Sequence, residues 1–456
     1  MRKYLLTPLL AAALLAGCAT TQAPYAAPQA SVPTQWSHGS SDARAVTGAW
    51  WTAFGDPALD QLVQAALAAN NDLAAASIRV RRAQLQAGLA DANLRPQLSG
   101  SVNSSAARSL DGGGTTRAGS STLGASYEVD LWNRLGAQRD AARWEAQATV
   151  QDRESTAQAL VGTTATLYWQ LGYLRERITA AEASVAYAER TQALVQAQYR
   201  AGAVSSLEVA ETTQTVASQR AALSQLQQQQ VEAANALALL FDGQQPDAAA
   251  KAPQQLPRSA LPSVAEGLPA ELLGRRPDLR AAELRLHESY ATIDATRASY
   301  YPALTLTGAL GGSSSALFNV LQNPLATLGA GLSLPFLQRT QMDLNIKVSQ
   351  TQYEEAVVNF RQTLYQALAD VDNALSARSR YAEQATQLEQ SLAAAQKAER
   401  LYETRYRLGA VPLRTWLDAQ QTRRSAETAL AENRYNQLVN HATLSKALGG
   451  SAGSTS

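Results

Sequence analysis

Apolar positions along this chain repeat with two different periods, and the periods alternate. In two long stretches the spacing is heptad-like. Leu167, Leu171, Leu174, Ile178, Ala181 and Val185 step by fours and threes, and Tyr353, Val357, Phe360, Leu364, Leu368, Val371 and Leu375 do nearly the same. That is the seam of coiled-coil helices. Proline is absent from Gly136 to Gly243 and from Leu337 to Gly409, so neither stretch is interrupted. The spacing predicts helices over Ala137–Arg200 and Gln338–Leu408. They measure roughly 95 and 105 Å at about 1.5 Å per residue.

Four shorter segments switch to period two. Leu98, Gly100 and Val102 alternate with Ser99, Ser101 and Asn103; Leu123, Ala125, Tyr127, Val129 and Leu131 alternate with small or polar residues. Leu304, Leu306 and Leu310 behave likewise, as do Leu328, Ala330, Leu332, Leu334 and Phe336. This alternation predicts strands over about 97–104, 121–132, 303–311 and 326–336, each with one apolar face. Their length suits a tilted strand crossing a bilayer. Gly/Ser-rich loops, Ser109–Ser120 and Gly311–Asn323, join them in pairs. Rods of about 100 Å between the pairs do not fit a soluble sandwich.

The elements come in duplicate, about 206 positions apart. Asp72-Leu73 with Pro96-Gln97-Leu98 returns as Asp278-Leu279 with Pro302-Ala303-Leu304, and Tyr199-Arg200-Ala201-Gly202-Ala203-Val204 returns as Tyr406-Arg407-Leu408-Gly409-Ala410-Val411. A unit this long is a duplicated structural half and not a solenoid repeat. The expected organisation is a first repeat over 45–242, a linker or equatorial segment over 243–274, and a second repeat over 275–449. The fold class is mainly α with transmembrane β. Four strands cannot close, and lipid offers no partner to a sheet edge, so several copies must pool their strands. Two copies give about eight strands and a filled interior, three about twelve and a lumen.

The ends add an address. Arg2 and Lys3 precede the apolar run Leu5–Leu15, the form of a signal peptide over 1–17. Leu15-Ala16-Gly17-Cys18 resembles a lipoprotein box, in which Cys18, the chain's one cysteine, receives lipid. Ala19 in place of Asp favours the outer membrane over the inner. Residues 18–44 read as a lipidated tether poor in large apolar side chains, and 450–456 as a disordered tail. The net charge of +1 supplies no basic surplus for a nucleic-acid partner. His38, His287 and His441 are scattered without metal-ligand spacing, and no phosphate loop or catalytic triad can be assembled. The expectation is a protein that is not an enzyme and takes no cofactor beyond the lipid on Cys18.

The order of parts, with Trp50-Trp51-Thr52-Ala53-Phe54-Gly55-Asp56-Pro57-Ala58-Leu59, Arg275-Arg276-Pro277-Asp278-Leu279 and Leu417-Asp418-Ala419-Gln420, resembles the outer membrane factor family. These are the TolC-like channels of tripartite efflux and type I secretion. The lipobox brings the chain nearest the lipoprotein branch used with RND-type pumps. The resemblance implies a homotrimer whose twelve-stranded β-barrel continues into an α-helical barrel in the periplasm. It implies an exit duct for drugs or other small molecules, with a periplasmic adaptor, an inner-membrane RND-type transporter and outer-membrane lipid as partners. Protein export by a type I system and an exported coiled-coil structural protein without a pore are the rival readings.

The two hairpin tips carry the candidate site. Glycine there supplies the left-handed backbone that ends a helix, Pro412 suits the first turn of the next, and Ser205-x-x-Glu208 reads as a capping box. The resemblance implies that Gly202, Ala203, Val204, Gly409, Ala410 and Val411 meet the adaptor. It also implies a periplasmic gate of Asp418, Glu208, Glu211, Tyr406 and Arg407, with Glu208 bonding to Tyr406 and Asp418 ringing the pore. Exposed pairs of this kind contribute only about 0.2–1 kcal/mol each, so a partner could break them. Thr415 and Val411 stand where some relatives carry a second Asp and an Arg, which implies a thinner lock.

Overall fold

A computed structural model of the chain describes residues 31–38, 49–112, 114–244, 254–264, 267–315, 322 and 324–450. The signal segment, Cys18, most of the tether and residues 451–456 lie outside the described residues. The chain forms two compact units, one built from Ile78–Gln151 and Arg280–Thr363, the other from Ser31–Ser77, Asp152–Leu279 and Leu364–Ser456.

The first unit holds the sheet. Its strands are β1 (Gln97–Arg108), β2 (Thr115–Val129), β3 (Ala303–Ser314) and β4 (Leu325–Ser333). They lie in the order β1-β2-β3-β4, every pair antiparallel. The two duplicated pairs are therefore one sheet, joined through β2 and β3. The register sets Leu98 opposite Ala125, Leu123 opposite Leu310, Tyr127 opposite Leu306, and Leu304 opposite Leu332. Directly paired residues share a face. One face is thus Leu98, Val102, Leu123, Tyr127, Leu304, Leu306, Leu310, Leu328 and Leu332; the other carries Ser99, Asn103, Thr122, Ser126, Thr305 and Thr307. The apolar face is uncovered, with Leu328 92% and Leu98 77% exposed. Among the described residues, the outer edges of β1 and β4 have no strand partner.

The strand limits differ from expectation. The outer ends extend further, and β2 begins at Thr115, inside the stretch expected as loop. The inner ends of β2 and β4 are shorter, while β1 and β3 begin where expected, at Gln97 and Ala303. Leu131 leaves β2 because the Asp130 carboxylate turns back to accept from the backbone N–H groups of Leu135 (3.1 Å) and Gly136 (2.8 Å), while Asn133 adopts φ 57°. Leu334 and Phe336 leave β4 because Pro335 has no N–H for a ladder and opens a 3-10 turn over Pro335–Leu337.

Among the described residues, the α-helices are, in chain order, α1 (Pro57–Ala69), α2 (Asn71–Ala92), α3 (Arg134–Arg200), α4 (Ser206–Leu239), α5 (Leu272–Arg275), α6 (Pro277–Ala298), α7 (Arg339–Arg407) and α8 (Leu413–Ala447). The helices α3 and α7 run 67 and 69 residues, as their heptads predict. No described helix is long and apolar enough to cross a membrane.

The second unit is organised by the tryptophan motif. Trp50 and Trp51 are buried in a 3-10 turn, and Trp50 packs on Phe54, Trp169 and His441. Gly55 ends that turn at φ 63°, Asp56 caps α1 by accepting from Ala58 and Leu59, and Pro57 occupies the first helical turn. The Tyr168 hydroxyl donates to the other Asp56 oxygen at 2.8 Å, which raises the phenol's pKa together with the larger effect of burial. Leu59, Leu62, Trp169, Leu237 and Leu438 complete the core. The arginine motif acts as a clamp. Arg276 holds Asp278 at 2.7 Å and Asp370 at 3.4 Å, and reaches the carbonyls of Ala367 and Ala447. Against the desolvation of burial, these bonds keep the Asp278 carboxyl below its ordinary pKa.

Within the stretch expected as an extended tether, residues 31–38 dock. The Trp36 indole donates to the Gly267 carbonyl at 3.0 Å, and Asp372 accepts from the Ser37 backbone and pairs with His38 at 3.2 Å. Trp36, Ser37 and His38 make these contacts.

Candidate functional site at the hairpin tips

The turns that end α3 and α7 are the same structure made twice. Gly202 and Gly409 sit at φ 75° and 71°. Their N–H groups donate to Tyr199 and Tyr406, and the next residues, Ala203 and Ala410, donate to Gln198 and Arg405, all at 2.9 Å. This is a Schellman motif at each helix end. A Cβ on either glycine would meet no atom within 4 Å, so the backbone angle alone calls for glycine. The following helices start differently. Ser205 caps α4 in a capping box: its backbone N–H (2.9 Å) and hydroxyl (2.5 Å) both donate to Glu208, while the Leu207 N–H donates to its oxygen. Pro412 precedes α8 with no side-chain cap.

Beneath the turns lies a small aromatic core. Val195, Leu413 and Trp416 are buried, with Tyr187, Val204, Val209, Tyr402, Tyr406 and Leu417 packed against them. Tyr406 stacks on Trp416 with ring centroids 5.2 Å apart, and Tyr187 meets the same indole edge-on at 6.2 Å. Val204 thus faces inward. Gly202, Ala203, Gly409 and Ala410 are exposed, as are Leu408 at 78% and Leu207 at 64%.

The expected gate residues all lie at this end; within one chain Glu208 and Arg407 bond locally, while Tyr406 and Glu211 reach across between helices. Glu208 serves the capping box, which holds its pKa below the usual carboxylate value. The Tyr406 hydroxyl donates to Gln198 at 2.8 Å, not to Glu208. Burial, then the Glu208 charge, raises the Tyr406 pKa. Arg407 pairs along its own helix with Glu403 at 2.6 Å, whereas Glu211 has Arg414 at 3.8 Å. Asp418 is exposed, and its carboxylate enters no hydrogen bond or ion pair among the described residues.

Behind the tip stands a denser network that sequence reasoning missed. Arg423 pairs with the buried Glu399 at 2.5 Å and with Glu427 at 2.6 Å. The Tyr187 hydroxyl donates to Glu403, and burial followed by the Glu403 and Glu399 charges pushes its pKa up to about 12. Gln420 is 0% exposed, and neither of its amide atoms is hydrogen-bonded among the described residues. The spacing Leu413, Trp416, Gln420 was a signal for this buried face. Glu427 is an i+4 partner on the same helix, but Glu399 comes from α7 and leaves no local pattern.

Comparison with known proteins agrees with this architecture. The family model described as outer membrane efflux protein matches residues 62–242 and 268–450. The pyoverdine export outer membrane protein OpmQ of Pseudomonas aeruginosa is 35% identical over 457 residues, 97% of this chain and 96% of that protein. The toluene efflux pump outer membrane protein TtgC of Pseudomonas putida is 32% identical over 468 residues, 99% and 96% of the two chains. Among solved structures, CusC superposes with a TM-score of 0.82 at 27% identity, covering 94% of this chain and 99% of that one. The open state of the Neisseria gonorrhoeae MtrE outer membrane channel gives 0.79 at 28%, covering 95% and 99%.

Proposed function

This chain belongs to the outer membrane efflux protein family, and from that membership we propose that three copies form the passive exit duct of a tripartite pump. The protein resides in the outer membrane, extends into the periplasm, and works with a periplasmic adaptor and an inner-membrane transporter. The duct conducts small molecules and does no chemistry on them, so the energy for transport comes from the transporter. One observation carries the reading: a sheet with an uncovered apolar face and two unpaired outer edges. In lipid such a sheet is stable only when closed by further strands.

Cys18 is the lipid attachment point, and acylation holds the chain at the membrane as the barrel assembles. The tips receive the adaptor. Gly202, Ala203, Gly409 and Ala410 give a close, small-residue surface; Val204 and Val411 border it, and the uncovered Leu207 and Leu408 add apolar area for a partner helix end. Asp418 is the leading gate residue because its carboxylate is exposed and uncommitted. Brought together from three copies, it makes an acidic ring that favours cations. Glu208, Glu211, Tyr406 and Arg407 flank it and set how the tip helices lie. Purified full-length protein added to planar bilayers tests the duct: the expectation is stable, discrete conductance steps, and membranes left silent at saturating protein would refute it.

A further inference from the structure

The sheet carries very few charges. Among its four strands they are Arg108, Arg117 and Glu128. Glu128 is on the polar face at the end nearest the helices, and is satisfied by Arg134 through contacts of 2.6 and 3.1 Å. The two arginines are at the opposite, hairpin end. The pairing of Ala106 with Arg117 and of Arg108 with Thr115 puts both on the apolar face, in line with Val102 and Leu123. Both side chains are exposed, and neither guanidinium makes a hydrogen bond or ion pair among the described residues. Asp111, in the intervening turn, pairs with neither.

Their height on the sheet is informative. At the helix end, Trp132 and Tyr301 lie 5.1 Å apart, the Trp132 indole donating to the Pro302 carbonyl. Such aromatic residues mark a membrane–water boundary. From Val129 to Arg117 β2 runs roughly 41 Å at about 3.4 Å per residue, or roughly 31 Å along the membrane normal at a tilt of about 40°. The apolar band of an outer-membrane barrel is about 25 Å tall. The arginines therefore stand just beyond its far boundary, on the side facing lipid. Since the helices extend into the periplasm, that boundary is the outer leaflet.

A free cation on a lipid-facing surface at headgroup height has a chemically defined complement. Guanidinium binds phosphate oxygens through paired N–H donors, and its aliphatic stem lies along apolar surface. Toward the bilayer centre on the same face, past Ala106, Ser104, Gly119 and Ser121, Val102, Leu123 and Leu310 offer a floor for acyl chain. We propose that Arg108 and Arg117 clamp the phosphate of a phosphorylated outer-leaflet lipid, one clamp per chain. The apolar floor selects lipid over a soluble anion. This rests on the membrane placement above and assigns a specific ligand to one rim.

Native mass spectrometry of the full-length protein in detergent, titrated with bisphosphorylated or fully dephosphorylated lipid A, tests the clamp without any variant. The bisphosphorylated form should bind at least about tenfold more tightly. The R108Q/R117Q double variant should lose that preference, and R108K/R117K should keep part of it. Equal affinity for the two lipids, an unaltered preference in R108Q/R117Q, or displacement of the lipid by excess inorganic phosphate would each overturn the proposal. Conductance of R108Q/R117Q in planar bilayers should stay at the wild-type level, so a failure of the clamp is distinguishable from a failure of the duct.

Discussion

Asp418 and Trp416 are two residues apart on α8, yet one is exposed and the other 2% exposed. Helical geometry makes this the natural outcome: the indole packs inward on Tyr406, and the carboxylate is delivered outward without strain. If Asp418 takes part in a weak lock between copies, Asp418→Ala should raise channel open probability by up to about fivefold, the equivalent of about 1 kcal/mol. Single-channel recording reads this directly; an unchanged open probability removes Asp418 from the gate. His441 gives a second test at this scale. Burial, with a smaller contribution from the Arg378 charge, lowers its pKa to about 4 from an ordinary 6.5. The folded state therefore keeps it neutral where the unfolded chain takes up a proton. Stability from this site is present above pH 6.5 and is lost as pH falls toward 4. Its full extent is roughly 3 kcal/mol at about 1.4 kcal/mol per pKa unit. His441→Phe should flatten the pH dependence of the melting temperature over that window, and an unchanged slope would show that another group is responsible.

The helices and turns were the most legible elements. The expected limits of α3 and α7, read from heptads and absent prolines, lie within three residues of those observed. Both tip glycines and the Ser205–Glu208 box were visible because their chemistry is local: a positive φ and a cap three residues long. The strands were legible as periods but not as limits. Where β2 and β4 stop is decided by an Asp130 side chain turning onto the next helix and by Pro335, details that alternation does not encode. The Glu399–Arg423, Tyr187–Glu403 and Tyr406–Gln198 contacts join residues on different helices, so only the fold brings them together. Because the tip glycines have open space around them, Gly202→Ala or Gly409→Ala should cost only the left-handed backbone penalty, about 1–2 kcal/mol at each tip. Hydrogen exchange at the first turns of α4 and α8 should quicken, while the aromatic core under the tips stays protected. Equal acceleration in that core would mean that the glycines support more than the turn.

For the whole molecule the decisive quantity is the number of strands. The duplication that the sequence displays produces one four-stranded sheet with both outer edges open. The apolar face that the alternation predicted is present and uncovered by the described residues. The second unit is different in kind. The tryptophan and arginine motifs each close on partners within the same chain, so it has its own core without help from other copies. The sheet therefore depends on neighbouring copies. Native mass spectrometry of the detergent-extracted, full-length protein measures this most directly. The account predicts a particle of three chains, each beginning at Cys18 and carrying covalent lipid. A stable particle of one chain, with the sheet intact by circular dichroism, would contradict it.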